Sequence, residues 1–296
     1  MSVKKFILAA IFGAIIFSLP QSFAAPAAND SQWYWLKSDE KYSKYFDPES
    51  VTVVKKALTD SGREVATEIE AWTKTTYTYD GAAETIKSYG ISSILPDPRA
   101  LSYSLALFRI NPQTRTLQYA REDFYNNKNQ VIWSKADGRV KEINSQAFDE
   151  DFYAAIVDEV FRQGEVERKN AKDRWIDLWT YTDNKGYTTS VSADTTTMQM
   201  KGANLILWEW QAVKNSDGQT LEIRFMKKAV NLSQGTEKIT SGEIWTSSTK
   251  RWRDLDDEND GNYVMIDNSS PAYKGLVRLR AYAKGYSKWV TRYAIK

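Results

Sequence analysis

The chain of 296 residues carries 40 Lys and Arg against 38 Asp and Glu, with 11 Trp, 17 Tyr and 11 Phe but neither Cys nor His. Those two absences exclude Ser-His-Asp and Cys-His nucleophilic catalysis, disulfide staples and most zinc chemistry. Balanced charge with no long basic run argues against a sequence-independent grip on nucleic acid or on an anionic membrane.

The first 24 residues have the pattern of an export signal. Lys4 and Lys5 form a positive start, Phe6 to Leu19 an apolar run too short to span a bilayer, and Ser22-Phe23-Ala24 a small-x-small cleavage pattern. The mature chain is expected to begin near Ala25 and to work outside the cytosol, in the periplasm or the extracellular medium. No later run is long enough for a membrane span, and a lipoprotein anchor would need a Cys. With no disulfides available, burial alone must offset chain entropy, and the abundant aromatics supply the area for it.

Beyond the leader the chain is expected to hold two tandem units, residues 25–168 and 169–296. The first opens on a strand at Trp33-Tyr34-Trp35-Leu36, turns at Phe46-Asp47, and continues in a long strand around Ile69 to Trp72. Then follows YSLALFRINPQTRTLQYAREDFYNNKNQVIW from Tyr103 to Trp133, which reads as two paired strands and a third short one. Asn144 or Ser145 caps a helix whose stripe is Phe148, Phe152, Ile156 and Val160, with Gly164 as a stop. The polar stretch from Gln163 to Arg174 reads as the join.

The second unit repeats this order. Glu222 to Trp252 reads EIRFMKKAVNLSQGTEKITSGEIWTSSTKRW, and setting Asn111 on Asn231 pairs Ile110 with Val230, Thr116 with Thr236 and Tyr125 with Trp245 without a gap. One deletion then pairs Trp133 with Trp252. Upstream, Trp175 to Trp179 resembles the opening strand, Ala193-Asp194 through Met198 resembles Phe46-Asp47 through Val53, and Leu205 to Trp210 resembles the strand around Trp72. Ser270 and Pro271 start a final helix with a stripe of Tyr273, Val277 and Ala281 before Gly285. The fold class expected is α+β, each unit an antiparallel sheet packed by a C-terminal helix.

The opening Trp strand, the turn Tyr45-Phe46-Asp47-Pro48 with Ser50 and Val51, the strand with Trp72 and the block from Tyr103 to Trp133 together resemble the surface-adhesin protein E-like domain of bacterial exported proteins. The resemblance covers most of the first unit and, less clearly, the second. It implies a sheet packed by a helix and, as function, adhesion to host extracellular proteins. No contact residue carries over by position.

Several side-chain groups invite chemistry. Thr246, Ser247 and Ser248 with Lys250 allow a Ser-Lys arrangement but fall in a polar turn, where solvated loop is the simpler reading. Glu68 and Glu70 share one side of a strand, most simply the solvent side. Asp149, Glu150 and Asp151 lie near a helix start, where acids favour the dipole. Asp256, Glu258, Asp260 and Gly261, with Asp267 at the last position, fit parts of a calcium loop, though its leading helix is missing and a hydrated acidic loop explains them. Trp208 and Trp210 share a strand face with Glu209 on the other; they suit core packing, or a platform for a sugar or partner.

No catalytic, metal-binding or cofactor-binding residue is therefore assigned. The expected function is that of a non-catalytic, adhesin-like binding protein, its partner a host extracellular or cell-envelope macromolecule. The alternative is a carbohydrate-binding or carbohydrate-active protein using Trp and carboxylate side chains.

Overall fold

The structure is a computed structural model that describes residues 32–162, 174–255 and 261–295. The leader, the unit boundary at 168/169 and the acidic residues Asp256 to Asp260 lie outside the described residues. Mostly β with 19% helix, the described chain forms two antiparallel sheets, so the α+β expectation is met only in part. Among the described residues no helix is long and apolar enough to cross a membrane.

The first sheet holds β1 (Tyr34–Ser38), β2 (Tyr42–Phe46), β3 (Thr52–Leu58), β4 (Glu64–Tyr77), β5 (Tyr103–Asn111), β6 (Thr116–Tyr125), β7 (Val131–Lys135) and β8 (Val140–Glu142). Its order is β1-β2-β4-β5-β6-β7, with β3 extending along β4 and β8 along β6. The second holds β9 (Trp175–Thr182), β10 (Thr188–Lys201), β11 (Asn204–Lys214), β12 (Thr220–Asn231), β13 (Thr236–Thr246), β14 (Arg251–Asp254) and β15 (Val264–Met265), in the order β9-β10-β11-β12-β13-β14 with β15 on β13. Helix α1 (Tyr79–Ser88) follows β4, α2 (Glu150–Phe161) follows the first sheet, and α3 (Pro271–Gly285) follows the second.

The two sheets match in register. Ile110 faces Leu117 and Asn111 faces Thr116 in the first; Val230 faces Glu237 and Asn231 faces Thr236 in the second. Each ladder then skips one residue at the same place, passing from Tyr119 to Arg121 and from Ile239 to Ser241. Toward the preceding strand, Ile69 faces Ile110 and Trp72 faces Leu107, as Leu205 faces Val230 and Trp208 faces Lys227. Trp72 and Trp208 are thus counterparts. Further upstream Val53 faces Ile69 and Met200 faces Leu205, so Val53 corresponds to Met200 rather than to Met198.

A hydrogen-bond device explains why the Phe46-Asp47 stretch recurs. Ser50 Oγ donates to the Asp47 carbonyl (2.7 Å) and accepts from the Trp72 N–H (2.9 Å). Thr197 Oγ1 donates to the Asp194 carbonyl (2.8 Å) and accepts from the Trp208 N–H (3.0 Å). Asp47 and Asp194 each accept, at 3.0 Å, the N–H two residues on. Where the strand leaves its ladder, a hydroxyl thus satisfies the buried tryptophan amide that would otherwise lack a partner.

Each sheet buries one face under its helix. Ile69, Phe108, Ile110 and Leu117 meet Phe152, Tyr153 and Ile156 of α2; Leu178, Val191, Leu205 and Leu207 meet Leu276 and Leu279 of α3. The other face is aromatic: Trp33, Trp72, Tyr103 and Tyr125 cluster on the first sheet, with Tyr103 and Tyr125 stacked at 4.7 Å.

Several expectations need correction. Helix α1 was not expected. Asp149, not Asn144 or Ser145, stands at the cap of α2, and Asn144 instead closes a turn by accepting from Gln146 N–H; Phe148 of the expected stripe is exposed. In α3 the buried face is Gly275, Leu276 and Leu279, whereas Val277 and Ala281 are exposed. Trp133 faces Phe124 and packs with Tyr89 on the helix side of its sheet, while Trp252 faces Trp245 on the opposite side of its own; the two are not counterparts.

The units meet through charge and through the chain's later residues. Arg115 and Arg174 both contact Glu150, Arg174 also pairs with Asp194 (3.0 Å), and Lys227 pairs with Glu142 (2.7 Å). Arg115 adopts φ 54°, where its counterpart is Gly235 at φ 71°. Glycine adopts that conformation freely and arginine does so at a cost, which is offset here by Arg115 donating to the carbonyls of Ile143 (2.7 Å) and Thr196 (3.3 Å). Beyond α3, Tyr293 enters the core of the first unit, its ring 4.8 Å from Phe161.

Candidate functional site

The outer face of the second sheet, away from α3, carries the tryptophans. By register Trp210 faces Phe225, Ile223 faces Trp245 and Trp245 faces Trp252, all on one side. Trp208 is buried and stacks on Phe225 at 4.5 Å; beside it lie Arg115, Glu142 and Lys227 at the junction of the units. Trp210 is half-buried, its ring 5.9 Å from Phe225 and 6.1 Å from Trp252, which is 44% exposed. The pair therefore divides: Trp208 is core, and Trp210 belongs to an open aromatic strip with Trp252.

Hydroxyls flank that strip. Ser192 faces Trp210 and Ser190 faces Ala212 on the neighbouring strand, and Ser192 Oγ donates to Asp177 Oδ1 at 2.9 Å. Glu209 projects to the other side, buried 2.9 Å from Lys228 Nζ, and Glu142 beside Trp208 is paired with Lys227.

The remaining expected groups have structural partners. Glu68 and Glu70 are not on an open solvent face: Glu68 pairs with Lys55 (2.7 Å) and Glu70 with Arg109 (2.5 Å), both carboxylates largely covered. The acids at the start of α2 do more than favour a dipole. Asp149 is held by Tyr119 and Lys141, Glu150 by Arg115 and Arg174, and Asp151 by Lys44 (3.0 Å). Thr246 Oγ1 bonds within its own exposed turn, to Ser248 and Thr249. Asp267, the last position of the calcium pattern, accepts from the Ser269 N–H (2.9 Å) and hydroxyl (2.8 Å) ahead of α3; these bonds hold its carboxyl below the usual range.

A second place with chemical character lies inside the first unit, where α1 and the start of α2 cover the sheet. A cavity of about 200 Å³ is lined there by Thr73, Thr75, Thr85, Glu122 and Asp149 among a set of aromatic rings. Glu122, 5% exposed, accepts from Tyr89 OH at 2.6 Å, and Asp149 accepts from Tyr119 OH at 2.7 Å. Burial, helped by the charge of Asp149, pushes the Glu122 carboxyl up to about 7, against the hydrogen bond from Tyr89 that favours its charged form. Burial also raises the Tyr119 hydroxyl far above its ordinary range.

The raised carboxyl has a consequence for stability. Folded Glu122 binds a proton that the unfolded chain releases once pH exceeds the ordinary carboxyl range, so stability falls as pH rises from about 4.5 through about 7. Glu122→Gln is expected to stabilise the fold at pH 8 by about 2–3 kcal/mol and to change little at pH 4. Urea unfolding at the two pH values checks this; an equal effect at both would contradict it.

No family model matches the chain, and no curated protein matches it.

Proposed function

We propose that the mature chain is an exported, non-catalytic binding protein, adhesin-like, which holds a cell-envelope or host extracellular macromolecule on the outer aromatic face of its second sheet. The observation that carries this reading is the half-buried Trp210 beside the exposed Trp252 on a face that α3 leaves open. Large rigid rings with a fixed backbone behind them bury much area at little entropy cost, and Trp is favoured at the centre of interfaces. The export pattern at residues 4–24 and the resemblance to surface-adhesin protein E-like domains support the same reading.

The purified chain from residue 25 onward, titrated against extracellular-matrix proteins and cell-wall preparations, is expected to bind one class saturably. The double variant Trp210→Ala, Trp252→Ala should weaken that binding at least tenfold, corresponding to the loss of about 1.4 kcal/mol or more. Absence of binding throughout the panel, or full binding by the double variant, would remove the proposal. A second reading, a glycan as the bound class, is favoured by Ser190, Ser192 and Asp177 beside Trp210, since sugars combine a ring face with hydroxyl pairing. Competition by soluble oligosaccharides separates the two.

A further inference from the structure

The cavity of the first unit is an addition to the repeat, not a requirement of it. In the second unit the counterpart of Glu122 is Gly242, where a Cβ would lie 2.8 Å from the Phe225 carbonyl oxygen and 3.0 Å from Leu255. Across the ladder, Ala106 facing Glu122 is replaced by Met226 facing Gly242. The same strands in the same register thus fill the space in the second unit, with Met226 and Leu255 beside Gly242 and with the Lys228–Glu209 ion pair at the positions of Phe108 and Thr73. The second unit's buried Glu209 is neutralised by Lys228, whereas the first unit keeps beside its cavity a buried carboxylate, Glu122, that makes no salt bridge among the described residues.

Its walls have the chemistry of a cation cage. Rings of Tyr42, Tyr77, Tyr89, Phe108, Tyr119 and Phe148 line it, and aromatic faces attract ammonium groups. The chain's own ammonium groups already use these rings: Lys44 Nζ lies 4.0 Å from the Phe148 centroid, Lys141 Nζ 4.6 Å from Tyr119 and Lys135 Nζ 5.0 Å from Tyr89.

Charge accounting leaves one vacancy for a cation. Lys44 is paired with Asp151, Lys141 with Asp149 and Lys135 with Asp137. Glu122 is bonded to the neutral Tyr89 hydroxyl and makes no salt bridge among the described residues. The volume, about 200 Å³, exceeds the roughly 150 Å³ cavity that accepts benzene, so the occupant is compact. We propose that this cavity binds a small organic ammonium ion, with Glu122 as its counter-charge and the Tyr and Phe rings as its cage. Ser88 and Phe148, both exposed, stand at its rim.

The charged and titratable groups around Glu122 are Tyr77 from β4, Tyr89 after α1, Tyr119 from β6, Lys135 from β7, Lys141 from β8 and Asp149 before α2. Burial, with the charge of Asp149, holds the Glu122 carboxyl up at about 7 against the hydrogen bonds from Tyr89 and Ser104 and the charge of Lys135. Affinity for an ammonium ion should therefore decline as pH falls below about 7.

Calorimetry or NMR titration of the chain from residue 25 onward with choline, tetramethylammonium and butylammonium tests the site, with 3,3-dimethylbutan-1-ol as the uncharged isostere of choline. At pH 8 at least one ammonium probe should bind saturably, at least tenfold tighter than the isostere, and should shift the Tyr89 or Tyr119 ring signals. Glu122→Gln, expected to fold at least as stably, should lose tenfold or more. Failure of all three cations to bind overturns the proposal, as does equal binding of the isostere or undiminished binding by Glu122→Gln. The proposed outer-face function stands or falls separately, because Trp210→Ala should leave this titration unchanged.

Discussion

Lys228→Met is expected to destabilise the protein by about 3–5 kcal/mol, because it strands a carboxylate rather than because it removes a contact. Lys228 Nζ lies 2.9 Å from Glu209 and 3.0 Å from Glu237, and Glu209 is only 3% exposed on the helix-covered side of β11. Burial alone would lower the lysine's affinity for its proton; the two carboxylates outweigh it and hold Lys228 charged. Burial raises the Glu209 carboxyl, and Lys228 opposes that rise. Without the lysine, Glu209 would take up a proton on folding, so the variant's deficit should grow as pH rises. The double variant Glu209→Leu, Lys228→Met should recover most of the loss, since Leu207 and Met226 face these positions across the ladder. Urea unfolding of both variants decides it: a double variant as weak as the single would mean that the network itself, not the orphaned charge, holds this face.

Glu150→Ala is expected to cost a similar amount, about 3–5 kcal/mol, and to loosen the units from one another. Glu150 holds Arg115 Nη2 at 3.0 Å and Arg174 Nη1 at 3.0 Å, and the Arg115 side chain is 9% exposed. Without that carboxylate Arg115 keeps carbonyl partners but no ion-pair partner among the described residues. Arg174, still paired with Asp194, no longer ties the second sheet to α2. The observable consequence is a change in cooperativity, with tryptophan fluorescence and far-UV circular dichroism reporting transitions that no longer coincide. Glu84→Ala, which breaks the exposed pair with Lys41, serves as a control that should cost under about 1 kcal/mol. Coincident transitions and a loss no larger than the control's would assign the junction's strength elsewhere.

The repeat was legible because it is written in periodic apolar letters. The ungapped setting of Asn111 on Asn231 is the register the ladders adopt, down to the skipped residue after Tyr119 and Ile239. It fails at Trp133 because β7 slips against β6, which turns that ring to the helix side. The stripe of α3 was misread for a related reason. Apolar letters recur at several spacings there, and the buried face is the one where Gly275 lets the helix settle on Leu178 and Trp179. Glu68 and Glu70 looked solvated because Lys55 and Arg109, which cover them, arrive from other strands.

The first-unit cavity was invisible for want of α1. Its signals were present in Thr78, whose hydroxyl accepts from Gly81 N–H, in Asp80 in the first turn, and in the buried Ala82 and Ile86. They were overshadowed by the long strand before them. No sequence pattern joins Tyr89, Glu122 and Asp149, which come from three separate elements. For the outer face, alternation in β11 placed Trp208 and Trp210 together, but only the proximity of Arg115 and Glu142 separates the buried ring from the open one.

Tyr293 is the latest contributor to the first unit's core, far along the chain from Phe46, Phe108 and Phe161. The final packing of the first core therefore includes a ring supplied from beyond the second sheet, which couples the completion of the earlier half to the presence of the later one.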